Sequence, residues 1–454
     1  MAVHSPFPPS ESCEAAARRC LLAIEAPDGE GSRAFTQVYA DAVLADSIAA
    51  DERRRRGSPR SAIDGRIVAV KDLFDVQGQV TWAGSRVLHD AAPARTDAPA
   101  VARLRCAGGL IIGKTNMTEF AYSGVGLNPH FGTPANPFGR GSIRRIPGGS
   151  SSGAAVAVAD GMADIGLGTD TGGSVRIPAA LCGLVGWKPT ARRISLDGVW
   201  PLARTFDSVG VIAASVLACF ETDAVLTAEP SAAEPPALNR LRLGRLRGYV
   251  ESDLETPVAR AYERALERLT QAGVQLIDLE VPELERVARE QPGVTMTTYE
   301  AFQAHAALLG KYGDFYDPRV RSRLELGRNI TAEQYSAAAA LRRELQAAAS
   351  KALKEFDACL YPTVRITAPP FSAFEADVDY VALNRALLRN TSLFNLLDGC
   401  AITLPCHDRG QAPVGLSIAG LGVRDAQILS TALSLEPIVV TTLRTHNQTA
   451  SRSR

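Results

Sequence analysis

Histidine is scarce in this chain. There are six in 454 residues (His4, His89, His130, His305, His407 and His446), and none lies inside the glycine- and serine-rich blocks. A serine nucleophile draws its base most often from histidine, so any such chemistry here must look elsewhere. Lysine is just as rare, with six against a far larger number of arginines. The eight cysteines form no Cys-x-x-Cys pair and no Cys/His cluster with zinc spacing, so they read as reduced, mostly buried thiols of a cytosolic protein. Neither a metal nor an organic cofactor is expected. No run approaches the roughly 18 apolar residues of a membrane span, and no basic segment followed by an apolar run opens the chain. Net charge is absent as well: Lys plus Arg equals Asp plus Glu at 49 each. That removes any charge-based argument for nucleic-acid or anionic-membrane partners. The basic run Arg54-Arg55-Arg56 follows Asp51 and Glu52, and reads as a solvated helix end.

What is present fits an ordinary globular protein, 46% apolar and 22% charged, long enough for one large domain. Residues 1–60 read as a helical N-terminal part. Phe35, Val38, Tyr39, Ala42 and Val43 fall at i, i+3, i+4, i+7 and i+8, which lays an apolar stripe along one helix face. Ile67-Val68-Ala69-Val70 is a continuous apolar run, so it predicts a buried strand ending at Lys71. A helix is predicted from Pro99 to Cys106, stopped by Gly108-Gly109, with a strand at Leu110-Ile111-Ile112. A small-residue helix at Ala154–Ala159 and a strand at Ile165–Leu167 follow. The Pro/Ala/Glu stretch Glu229–Leu238 reads as an exposed loop. After it come a strand at Leu241–Leu246, a helix capped by Thr256 with Pro257 at its first turn, and a strand at Val274–Leu279. Residues 309–335 read as polar and helical, lying over the core. The alternation of strand and helix patterns predicts an α/β fold with a mixed or parallel sheet covered by helices. No internal repeat is visible.

The densest signal lies between Pro147 and Pro189. It contains Pro147-Gly148-Gly149-Ser150-Ser151-Ser152-Gly153 and Gly168-Thr169-Asp170-Thr171-Gly172-Gly173-Ser174-Val175-Arg176. Glycine lets backbone take strained shapes and approach a ligand closely. A Gly-Gly-Ser that opens a helix points several N–H groups at one spot, as an oxyanion hole requires. A serine there needs a base. A lysine serves if burial lowers its pKa, and Lys71 follows directly on a buried strand. The competing reading is an ordinary strand-end lysine paired with Asp72 or Asp75.

At these residues the chain resembles the amidase signature family. The matching pieces are Ala69-Val70-Lys71-Asp72, Gly113-Lys114-Thr115-Asn116, the two glycine–serine blocks, and Gly183-Leu184-Val185-Gly186-Trp187-Lys188-Pro189-Thr190. Phe394-Asn395, Leu404-Pro405 and Pro413-Val414-Gly415-Leu416 extend the likeness, which covers residues from about 35 to 435. The resemblance implies one amidase signature domain over residues 1–454, built on a large mixed β-sheet with helices on both faces. It implies a Ser–cis-Ser–Lys triad: Ser174 as nucleophile, Ser150 as bridge after a cis peptide bond, Lys71 as base. The amides of Thr171, Gly172, Gly173 and Ser174 are implied as oxyanion hole, and Ser151 as a supporting hydrogen-bonding serine. Ala121, Tyr122 and Ser123 are implied to line the substrate pocket, with packing in the core as the other reading of Tyr122; residues 309–328 and 391–395 are candidates to close it. The family's block often reads Gly-Gly-Ser-Ser-Gly-Gly; here it is Gly-Gly-Ser-Ser-Ser-Gly, which spares both serines. Implied substrates are small-molecule amides, carbamates or esters, small or aryl. No nucleic acid or membrane partner is expected, and the assembly state suggested is a homodimer.

Three rivals share parts of this sequence. Gly108 to Thr115 fits a P-loop spelling, but the strand-like Leu-Ile-Ile run falls inside the supposed loop. Gly149-Ser150-Ser151-Ser152-Gly153 fits the nucleophile elbow of an α/β-hydrolase with Ser151 attacking, but Arg144, Arg145 and Pro147 stand where the elbow needs an apolar strand. The resembling family also includes the amidase subunit of a glutamyl-tRNA amidotransferase, which acts only with partner chains. The neutral charge speaks mildly against tRNA contact.

Overall fold

Strand residues alternate between two cores, and that alternation fixes the architecture. Ile67 and Ala69 belong to one buried cluster, Val68 and Val70 to another. On the neighbouring strand Leu110 and Ile112 join the first, and Ile111 the second. Successive strand side chains point to opposite faces, so this part of the sheet is covered on both sides. Ala17, Cys20 and Ala154–Val158 pack in the first cluster. Val101, Leu104, Val216 and Cys219 pack in the second.

The computed structural model describes residues 11–229 and 234–441. Among these, eleven strands form one sheet: β1 (Phe35–Val38), β2 (Ile67–Lys71), β3 (Leu110–Thr115), β4 (Ile165–Thr169), β5 (Val185–Lys188), β6 (Val209–Ala213), β7 (Arg242–Leu246), β8 (Gln275–Leu279), β9 (Ala358–Pro362), β10 (Cys400–Pro405) and β11 (Gly415–Gly420). The order is β1-β3-β2-β4-β6-β5-β10-β11-β9-β7-β8. β2 runs parallel to both β3 and β4, with Lys71 level with Thr115. The carboxyl ends of three parallel strands therefore meet at one edge, where open α/β sheets characteristically place a ligand crevice. The sheet is mixed: β4–β6, β5–β6, β5–β10, β10–β11 and β9–β11 pair antiparallel.

Most predicted elements stand within a residue or two. The Pro99–Cys106 helix has the predicted bounds, and the small-residue helix runs Ser152–Ala159. Three details differ. Phe35–Val38 is an edge strand antiparallel to β3, set between the Cys13–Glu25 and Gly31–Ala34 helices before it and the Ala40–Arg55 helix after it. The helical spacing of Phe35 and Val38 gives way to strand pairing, because tertiary pairing outweighs local propensity. Thr256 is the first residue of its helix, and Glu255 precedes it as cap; the Glu255 carboxylate instead accepts from the amide and hydroxyl of Thr367. Residues 309–335 are broken at Gly313, Pro318 and Gly327 into separate helical pieces, with Val320 and Leu324 buried beneath. Arg54 and Arg55 stand exposed in the last turn of the Ala40–Arg55 helix and Arg56 just past it, as expected of a solvated end, while Arg53 is ion-paired to Asp64. In the predicted loop, residues 230–233 lie outside the described residues, Glu229 and Glu234 are exposed, and Leu238 begins a short 3₁₀ turn. Residues 1–10, His4 among them, and His446 also lie outside the described residues. Among the described residues, no helix is long and apolar enough to cross a membrane.

Candidate active site

Lys71 ends β2 with its side chain fully buried. Its Nζ lies 2.7 Å from Ser150 Oγ and 3.0 Å from Thr169 Oγ1, the latter at the end of β4. Burial pulls the Lys71 pKa down to about 7, although the negative charges of Asp170 and Asp207 push the other way. An ammonium donates to the Ser150 hydroxyl; a neutral amine accepts from it. With a pKa near neutrality both states are accessible, which suits a proton relay. The carboxylate pairing expected of an ordinary lysine belongs to a neighbour: Asp72 pairs with Lys114, at 2.9 Å.

The Gly149–Ser150 peptide is cis. Ser150 is buried, and one residue on, the Ser151 amide donates to the Ser174 carbonyl at 3.1 Å. That bond ties the two glycine–serine blocks together beside the proposed serines. Ser174, Thr171 and Gly172 line a cavity of about 500 Å³, while Lys71 and Ser150 lie buried behind its wall.

The turn carrying Ser174 is held from below by a buried ion pair. Asp170 and Arg176 are both fully buried and meet through two bonds of 2.9 Å. Burial would raise the Asp170 pKa, but the Arg176 guanidinium overrides it and holds the carboxyl well below the usual range. Asn395 completes the clamp: its Oδ1 accepts from Arg176 at 2.6 Å and its Nδ2 donates to Asp170 at 3.0 Å. Thr171 Oγ1 donates to Asp207 at 2.5 Å, and Thr391 Oγ1 donates to the Gly172 carbonyl at 2.7 Å. Gly173 has φ +134°, and a Cβ there would sit 2.1 Å from Thr391 Oγ1, so only glycine fits.

Two expected roles need correction. The Gly173 amide donates to Asp170 Oδ1 at 2.8 Å and is already engaged, whereas the amides of Thr171, Gly172 and Ser174 make no hydrogen bond to the described residues. The Ser151 hydroxyl likewise has no hydrogen-bond partner among the described residues. It is pressed against β4, where a Cβ on Gly168 would lie 2.7 Å away, and only the Ser151 amide supports the site.

Ala121, Tyr122 and Ser123 all line the cavity. Phe120 and Ala121 take positive φ, 49° and 59°, which turns the chain into the wall. Tyr122 donates to Thr298 Oγ1 at 3.0 Å and lies under the Arg323 guanidinium, 4.2 Å from the ring centre. Ser123 donates to Asn384 at 3.0 Å. Arg323, Leu326, Ser392 and Asn395 line the cavity from the two segments expected to close it. No sequence pattern assigns a role to Thr169, Asp170, Arg176 or Asn384, and Thr391 is expected only within the segment that closes the pocket. The first three stand inside the glycine block, so proximity was the available signal; Asn384 and Thr391 carried none of comparable strength.

The rivals do not find their parts. Lys114 lies within β3 and its Nζ is bonded to Val80 O and Thr81 Oγ1 besides Asp72, so the P-loop spelling is a strand. His305 is bonded to Tyr316, and His407 to the Val414 amide; no strand precedes Ser151 as the elbow requires.

The chain is 34% identical over 407 residues to 2-amino-5-chloromuconic acid deaminase of Comamonas testosteroni, covering 87% of this chain and 86% of that protein. It is 31% identical over 422 residues to fatty acid amide hydrolase of Medicago truncatula, covering 86% of this chain and 68% of that protein. A crystal structure of an amidase superposes with TM-score 0.84 at 32% identity, covering 95% of this chain and 97% of that one. The model of the Amidase family matches residues 18–429, and with these relatives it shows that the chain belongs to the amidase family, hydrolases of the amide carbon–nitrogen bond.

Proposed function

We propose that this amidase cleaves small or aryl amides, with carbamates and esters as further substrates, through a Ser174–Ser150–Lys71 relay and an acyl-enzyme. The observation that carries the reading is the fully buried Lys71, its pKa drawn down to about 7, 2.7 Å from Ser150 Oγ. Ser174 Oγ attacks the carbonyl carbon as its proton passes to Ser150, whose own proton passes to Lys71. The tetrahedral oxyanion is held by the amides of Thr171, Gly172 and Ser174, which make no hydrogen bond to the described residues. The relay returns the proton to the leaving nitrogen as the C–N bond breaks. Water, deprotonated along the same path, then hydrolyses the ester at Ser174 and regenerates all three groups. The Asp170–Arg176–Asn395 clamp keeps the turn rigid, so the amides need no reorganisation when charge develops.

The eight cysteines are unpaired, seven of them buried, which supports placement in the cytoplasm. Assembly as a homodimer is part of the same reading, checked by light scattering. The decisive test is labelling of the isolated chain with a fluorophosphonate, mapped by peptide mass spectrometry. The expected adduct is on Ser174 and forms far more slowly in Lys71→Ala. A label on Ser151 that ignores Lys71 would sink the relay. A folded chain that takes no label would favour an amidase that depends on partner chains.

A further inference from the structure

Four arginines (Arg323, Arg365, Arg385 and Arg389) line the cavity in front of Ser174, and among the described residues no aspartate, glutamate or lysine lines it. An apolar pocket normally carries a few placed polar groups that fix the ligand, and here the charged ones are all of one sign. Only one of the four is neutralised: Arg365 pairs with Asp253 at 3.0 Å. Arg389 donates to the Tyr249 carbonyl and to Ser252 Oγ, both neutral, and lies over the Tyr249 ring. Arg323 donates to the Tyr122 carbonyl. Arg385 has no side-chain partner among the described residues.

Arg385 and Arg389 sit four residues apart on the Asp377–Leu396 helix, thus on one face and about 6 Å apart along its axis. The same face touches the proposed oxyanion turn. A Cβ on Gly172 would lie 3.4 Å from Leu388 Cδ2 and 3.8 Å from Ser392 Cβ. Arg389 is anchored by its two bonds, so part of its ordering cost is met before any ligand arrives. Arg385 is left with a free planar fork, the geometry that grips a carboxylate through two parallel bonds.

Resting on the reading of this cavity as the amide site, we infer that the substrate is an amide bearing a carboxylate a few bonds from the scissile carbonyl, held by Arg385 with Arg389 beside it while Ser174 attacks. The apolar walls at Leu202, Phe206 and Leu388 would pack the carbon chain between the two groups. Arg385 is exposed, so a neutral amide leaves it to water and forfeits the charge-assisted bonds.

The test is calorimetric binding to the full-length Ser174→Ala protein. Succinamate, glutaramate and adipamate are each compared with their methyl esters, which keep the amide and lose the charge. At least one acid should bind about tenfold or more tighter than its ester, since charged hydrogen bonds are the strong ones. That preference should shrink as salt is added and fall to near parity when Arg385→Gln is introduced; Arg385 holds up no other group, so the variant should fold. Equal binding of acids and esters, or a preference that survives Arg385→Gln, overturns the inference. Turnover by wild type separates this from the relay. Release of ammonia from the ester-amides as fast as from the acids sinks the carboxylate site and leaves the relay standing. Preferential acid binding by a protein that hydrolyses none of these amides does the opposite.

Discussion

Lys71 ends β2 and Lys114 lies one residue before the end of the adjacent parallel strand β3, both fully buried, and they do opposite things. Lys114 meets the carboxylate of Asp72 at 2.9 Å, with Val80 O and Thr81 Oγ1 filling its other bonds. It is a closed ion pair. Lys71 meets two hydroxyls, Ser150 and Thr169, and its nearest charged influences act from a distance. Burial without a contact counter-charge pulls its pKa to about 7. One residue type at one depth becomes structural glue or a titrating base according to whether a carboxylate touches it.

Exchanging each lysine for methionine separates the two roles. Lys71→Met should lower kcat/KM by on the order of 10³-fold, with the fold intact, because it removes the base alone; a residual activity within a fewfold of wild type would break the comparison. Lys114→Met should do the reverse. It strands Asp72 as an uncompensated buried charge and should cost about 3–5 kcal/mol in chemical denaturation, with activity falling only as the folded fraction does. Adding Asp72→Asn to Lys114→Met should restore about 1–3 kcal/mol of that loss, since the residue left behind is no longer charged. No such rescue would mean the pair is not what holds the strand ends.

The pH dependence sharpens the contrast further. Activity should climb as pH rises through about 7, where Lys71 becomes neutral, and then level off. Stability should follow the same residue more gently. Its folded pKa is depressed below the ordinary 10.5, so the unfolded chain binds the extra proton between those values. Wild-type stability should therefore rise from about pH 7 toward 10.5, and denaturation of Lys71→Met should lack that slope.

Much of this was legible in the chain itself. The apolar run ending at Lys71, the helix at Pro99–Cys106 and the small-residue helix before β4 appear where their patterns place them, because each is decided by local periodicity and punctuation. The glycine–serine blocks announced a site because strained turns need glycine locally. Phe35–Val38 misled, since its spacing suits a helix while the open edge of β3 claims it as a strand. What Asn384 and Thr391 each hold was invisible for a different reason. They act on residues more than 200 positions away, Ser123 and Gly172, and no local pattern encodes such a partner.

By itself the sequence determined the residue types of the chemistry and the turns that present them, for backbone strain and strand burial are written in a few adjacent residues. Only the tertiary structure decided which buried lysine keeps a carboxylate and which titrates, which glycine amide is already taken by Asp170, and that arginines without a carboxylate partner line the same apolar cavity as Ser174. Those outcomes depend on distances between segments far apart in the chain, and electrostatics is set by distance and burial rather than by order.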